Sequence, residues 1–173
     1  MQYLAVMMKK TALFALTFGM LIMLWGCPYK SQVALGPAVE KIRSEFIGSW
    51  VPETEAAKKN PSYYVIAKYD SVHYAIDHSQ YNDEEGGYST KSYVGHTTSI
   101  DGFVFMHLVE YGTKEFLIHR LELTPLGFKL YEVTDNIDEQ FESSEKMLAF
   151  FKQNMRLSFF YNKDEVPLIR KPE

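Results

Sequence analysis

The stretch Val94-Gly-His-Thr-Thr-Ser-Ile-Asp101-Gly102-Phe-Val-Phe-Met-His-Leu-Val-Glu110-Tyr-Gly-Thr-Lys-Glu115-Phe-Leu-Ile-His-Arg-Leu-Glu-Leu-Thr124 decides the fold. Asp-Gly between two runs of β-branched and aromatic residues is a two-residue hairpin signal. With that turn, Ile100 faces Phe103, Thr98 faces Phe105 and His96 faces His107. With residues 111 to 114 as the next loop, Glu110 faces Glu115, His107 faces Ile118 and Phe105 faces Arg120. One face of this three-stranded unit then holds Val94, His96, Thr98, Phe103, Phe105, His107, Val109, Phe116, Ile118 and Arg120. The other holds Val104, Met106, Leu108, Leu117, His119, Leu121 and Leu123. Both faces are more apolar than a sheet with one wet side should be. One can be a packed core. The other needs a cover or a cavity.

Outward from this unit, the same pattern continues in both directions. Ser62 to Tyr69 is rich in aromatic and β-branched residues. Val72, Tyr74 and Ile76 alternate with His73, Ala75 and Asp77. Asn82 to Gly87 is an acidic, glycine-bearing loop, and Tyr88 to Ile100 is a long strand. Beyond Thr124, Pro125-Leu126-Gly127 turns and Phe128 to Val133 returns. Successive strands with short turns make an antiparallel meander. Upstream, Pro37 suits the first turn of a helix. Val39, Ile42 and Phe46 follow at helical spacing, and Ile47 to Val51 reads as a strand. Downstream, Ser143 or Ser144 can cap a helix, with Glu145 in its positive first turn. Met147, Leu148, Phe150, Phe151 and Met155 give that helix one broad apolar face. Leu157 to Tyr161 is a candidate last strand, and residues 164–173 read as a polar tail.

The chain has 173 residues, enough for one domain, here placed at 37–163. Aromatics make up 15% of it, an excess that favours β structure. Two of the 18 basic residues precede Cys27 and no acidic residue does, leaving 16 against 22 and a net of −6 beyond that point. A negative body with no basic stripe argues against nucleic acid as a partner.

The start of the chain has a different character. Lys9-Lys10 is followed by the charge-free run Thr11 to Trp25 and then Gly26-Cys27. A basic region, an apolar run and a small residue before a cut are the parts of a secretory signal. The run is 15 residues, short of the roughly 20 that span a bilayer as a helix. Cys27 is the only cysteine, so it has no disulfide partner within the chain. Met8-Lys-Lys-Thr-Ala-Leu-Phe is a more typical beginning than Met1, and translation is expected to start there.

Leu24-Trp25-Gly26-Cys27 resembles the lipobox of bacterial lipoproteins. Leu24, Gly26 and Cys27 fit the pattern, while Trp25 stands where that family has a smaller residue. The resemblance implies a signal peptide over 1–26, a lipid thioether on Cys27 as the first mature residue, and further acylation such as palmitate on its amino group. It places the protein in the cell envelope, held to a membrane by lipid on Cys27. Pro28 lacks the Asp that retains Gram-negative lipoproteins at the inner membrane, which leans toward the outer one. Residues 27–36 read as a tether.

A helical turn, the strand bearing Gly48 and Trp50, the meander and the late helix together resemble the lipocalin-like group. That resemblance implies a mainly β, antiparallel barrel or strongly curved sheet. In that group the Trp closes the barrel floor and a basic residue near the last strand packs over it. Arg156 is the candidate.

An aromatic wall with a few polar groups is the usual make-up of a small-molecule pocket. The candidate pocket is therefore His96, Thr98, Phe103, Phe105, His107, Phe116, Ile118 and Arg120. The alternative is that the late helix covers this face. Metal binding is not expected: His73 and His78 are five apart, and His96 with His107 supplies two ligands where a structural zinc site needs four. The acidic groups 83–85 and 135–139 lack EF-hand spacing and read as solvated loops. No nucleophile elbow, His-Glu-x-x-His or phosphate loop occurs. The chain thus reads as a non-enzyme without a cofactor. The leading expectation is a lipid-anchored barrel that binds an apolar ligand or lipid. The other is an interaction protein with a filled core, acting through contacts with proteins. An internal cavity separates the two.

Overall fold

The computed structural model describes residues 29–134, 137, 139–162 and 166–172. The expected signal region, Cys27 and Pro28 lie outside these, as do Asp135, Asn136 and Asp138 of the second acidic group. The first described segment forms β1 (Lys30–Ser31). There follow β2 (Gly48–Pro52), β3 (Tyr63–Lys68), β4 (Tyr74–Asn82), β5 (Gly87–Ile100), β6 (Phe103–Glu110), β7 (Phe116–Thr124) and β8 (Gly127–Glu132). Helix α1 (Ser144–Asn154) and the short strand β9 (Leu168–Arg170) complete the order. Strands β2 to β9 pair antiparallel with their sequence neighbours, and β9 pairs back onto β2, closing an eight-stranded barrel. This is the lipocalin-like architecture, with one late helix.

The central hairpins have the expected register. Ile100 pairs with Phe103, Thr98 with Phe105 and His96 with His107. Phe105 pairs with Arg120 and His107 with Ile118. Asp101 and Gly102 both take positive φ, 49° and 86°, the backbone of a primed turn whose twist matches that of the strands.

The two apolar faces have different fates. Met106, Leu108 and Leu121 point into the barrel and join Trp50, Ile66, Tyr74, Ile76, Tyr93, Phe128 and Leu168 there. Ile100, Phe105 and Ile118 point outward, beneath Met147 and Phe151 of α1 and its C-cap Met155. The helix is thus a lid on the outer wall of the barrel. Its N-cap is Ser143, whose side chain accepts from Lys146 N–H at 3.3 Å, an interaction worth about 1 kcal/mol.

Three segments differ from expectation. Of the N-terminal helix, a single 3-10 turn forms, Ser44–Phe46. Val39 is solvent-exposed, so the apolar spacing is not one buried stripe. Contacts along 36–43 draw the chain across the barrel instead. Gly36 O meets His96 Nε2, the Glu40 carboxylate takes Ser99 N–H, and Arg43 N–H donates to the Tyr74 hydroxyl. Second, the described part of the expected tether is packed. Tyr29, Ser31 and Leu35 are buried, β1 adds to the edge of β7, and Ser144 Oγ donates to Ala34 O at 2.6 Å. Tyr29 and Leu35 join the cluster under α1, and that burial is what removes the slack.

Third, the polar tail contains β9. Pairing of β9 with both β2 and β8 supplies the seam that closes the barrel, and Leu168 is buried in its interior. Tyr161, at the end of the candidate last strand Leu157 to Tyr161, makes only a single bridge to Val133, after a 3-10 turn at Ser158–Phe160. Residues 163–165 and Glu173 of the tail region lie outside the described residues.

Candidate functional site

Every residue of the candidate pocket lies on the outer wall of the barrel. Phe105 is fully buried and meets Phe151 of α1 edge-on at 5.5 Å between centroids. Ile118 lies in the same cluster, with Phe103 and Phe116 packed at its margin. Arg120 sits among three rings, those of Phe103, Tyr131 and Tyr161, at 4.7, 5.1 and 5.4 Å. Its guanidinium also pairs with Glu122. The structure therefore brings these residues together, with the helix and the N-terminal segment as their cover.

Three of the five histidines form a row from the head of β4 across β5 and β6. His73 lies just before β4 and bonds Asp70 at 2.8 Å. It stands edge-on to His96, 5.9 Å away, and His96 stacks on His107 at 4.3 Å. His107 is fully buried, and neither ring nitrogen has a hydrogen-bond partner. Burial, reinforced by His96 alongside, pushes its pKa down to about 3, so the ring is neutral at physiological pH. Burial likewise lowers His96, partly opposed by its bond to Gly36 O. His119, on the inner face of β7, is pushed down to about 4 by burial. Among the described residues no group of three or more His, Cys, Asp or Glu is placed to hold a metal ion.

The barrel interior is tightly filled. Phe46 plugs one end, meeting Phe128 edge-on at 5.5 Å and Tyr74 at 6.4 Å. Trp50 meets Phe128 at 4.7 Å and donates its Nε1–H to Phe46 O at 2.8 Å. The void lined by Ile66, Ile76, Met106 and Leu130 measures about 20 Å³. That is room for one water, against about 300–1,000 Å³ in small-molecule sites.

Comparison with family models, with characterised proteins and with solved structures gives no match. The geometry of the chain itself must therefore carry the functional reading.

The basic residue over the tryptophan is Arg170, not Arg156. Its guanidinium carbon lies 3.9 Å from the centre of the Trp50 ring, and Nη1 donates to Ile47 O at 2.6 Å. Arg156 instead lies 5.1 Å from Phe103 on the outer wall. Gly48 makes the arrangement possible. Its φ is +136°, and a Cβ there would lie 1.9 Å from Arg170 Nη1. The signal available in the sequence was the apolar pair Leu168-Ile169 just before Arg170. It is too short for a periodicity.

Grooves also open on the surface. One, about 400 Å³, opens beside the β5–β6 turn between Arg43, Phe103 and Arg120. Another, about 210 Å³, is lined by Ile137, Phe150, Phe159 and Phe160 at the end of α1.

Proposed function

We propose that this is a lipid-anchored protein of the bacterial envelope that works through its outer surface, with the barrel as a rigid scaffold. The anchor part rests on the lipobox-like Leu24 to Cys27 and the charge-free run before it. The observation that carries the surface role is the packed interior, where the void between Ile66, Met106 and Phe128 measures about 20 Å³. It favours the interaction reading over the expected apolar cargo, because a ligand in the void lined by Ile66, Ile76, Met106 and Leu130 would displace core side chains. Burying those side chains contributes about 1.5–3 kcal/mol each, so opening the barrel by several of them would unfold a domain of ordinary stability.

Native mass spectrometry of residues 28–173 after incubation with a mixed lipid extract tests the surface role. The expected spectrum is a clean apo mass. Stoichiometric lipid uptake, lost on filling the interior further by Leu108→Phe, would overturn it. Cys27→Ser in the full chain tests the anchor. Its expected product is an unprocessed, unlipidated precursor, and normal processing with lipid labelling would overturn the lipoprotein reading.

A further inference from the structure

Tyr29, the first described residue, is buried and stands two residues after Cys27. Tyr29 is held at three points. Its N–H donates to Val133 O at 3.1 Å, its hydroxyl donates to Glu139 O at 3.1 Å, and its ring stands edge-on to Phe141. Two residues of chain span at most about 7 Å. A lipid on Cys27 would therefore hold this corner of the domain against the membrane surface, with no linker to let it turn away.

The same corner carries exposed apolar side chains. Val133 bridges Tyr161, and Thr134 N–H donates to Phe160 O, so the turn Ser158–Phe160 lies beside the strand that holds Tyr29. On and before that turn, Phe159 is 63% exposed and Leu157 is 37% exposed. Arg156 and Lys152 stand exposed nearby. The groove between Phe150, Phe159 and Phe160 opens there as well. Aromatic and aliphatic side chains beside cationic ones are the composition of surfaces that rest at the headgroup boundary of a bilayer. Another exposed apolar spot, Leu123 with Leu126, lies at the turn of the β7–β8 hairpin. β7 ends at Thr124, six residues beyond Ile118, or about 20 Å along a strand.

We propose that the face bearing Leu157 and Phe159 lies on the membrane that holds Cys27, with Phe159 inserted at the level of the upper acyl chains. The Leu126 end of the barrel then points away from the bilayer, free for other partners. This inference rests on lipidation of Cys27. Chain continuity places the acyl group on this side, and the bilayer is the apolar phase within its reach.

The test uses the full chain made in bacteria, with Phe159→Trp and Leu126→Trp as separate variants. Both positions are exposed, so neither change burdens the core. Trp50 is 2% exposed and serves as the buried internal reference. Each protein is first weighed to establish the acyl groups on Cys27. It is then reconstituted in phosphatidylcholine vesicles with or without dibrominated acyl chains. The expected result is loss of half or more of the added emission at position 159 and none at position 126. Acylated protein with no quenching at 159, or equal quenching at both positions, overturns this inference and leaves the lipoprotein reading standing. A dimeric mass with an unquenched Trp at 159 would assign the face to a second copy instead. A Cys27 without lipid removes the lipoprotein reading, and this inference with it.

Discussion

Arg170 lies across the indole of Trp50 at 3.9 Å while its Nη1 grips the carbonyl of Ile47, three residues upstream of that indole. One side chain thereby ties the last strand to the first strand of the barrel. Gly48 leaves the space that the guanidinium occupies. The two positions should behave as a unit. Arg170→Ala is expected to cost about 1–2 kcal/mol, from a cation–π contact and a carbonyl hydrogen bond. Gly48→Ala is expected to cost about 2–3 kcal/mol, from steric overlap and a backbone angle hostile to Cβ. In the double variant the overlap is gone, so the summed loss should shrink by about 1 kcal/mol. Urea unfolding of the four proteins measures this. Strict additivity would mean that Gly48 answers only to its own backbone.

Removal of residues 164–173 should open the barrel. A merely polar tail would be dispensable. Here the cut removes β9, uncovers Trp50 and Phe128, and leaves β2 and β8 as unpaired edges. Such edges promote association between chains. The expected outcome is loss of the cooperative unfolding transition, with strong binding of a hydrophobic dye and oligomers on size exclusion. A monomer with an unchanged melting curve would contradict the closed seam.

Leu35→Ala tests the packing of the N-terminal segment. Leu35 is fully buried in the cluster beneath α1, so truncation should cost about 2–5 kcal/mol. A residue in a free tether would show no measurable change in the denaturation midpoint.

Stability should fall on acidification, in a way that His107 and His119 govern. Both are depressed, to about 3 and about 4. The unfolded chain takes up their protons near pH 6.5, whereas the folded chain does not. Their contribution is therefore complete above pH 6.5 and is lost as pH drops toward those folded values. The steepest loss is about 1.4 kcal/mol per pH unit for each ring. His107→Leu should flatten the profile between pH 6.5 and 4. Because its nitrogens are unpaired in the fold, that change should cost little at pH 7. Denaturation midpoints from pH 4 to 8 give the comparison. A variant with the wild-type slope would show that His107 is protonated in the folded state.

Much of this fold was legible because one turn sets so many pairings. Asp101-Gly102 determines the register of β5 against β6, and the short loop after Glu110 carries it on to β7. Alternation then assigned each side chain to a face. It did not say which face was inside, since Phe105 and Met106 are equally apolar. That choice depends on α1, whose contacts are distant in sequence. The segment after Pro37 misled because Ile42 and Phe46 do go inward, but Ile42 from a strap held by side-chain bonds and Phe46 from a single 3-10 turn. Strands of two and three residues, β1 and β9, are below the length at which a period can be read. The pocket residues were gathered correctly on one face. That Phe151 packs against Phe105 there depends on contacts distant in sequence.

The seam at β9 also has a consequence in time. Ile47 and Arg170 are separated by 123 positions, so the barrel cannot close until nearly the whole chain is available. Contacts between such distant segments form late, because loop-closure entropy must be overcome first. A chain threaded lengthwise out of the cell would pass its first strands across the membrane well before their closing partner arrives. It would stay open during passage and lock only once released. On this view the last strand acts as the latch of the barrel, and Arg170 as its catch.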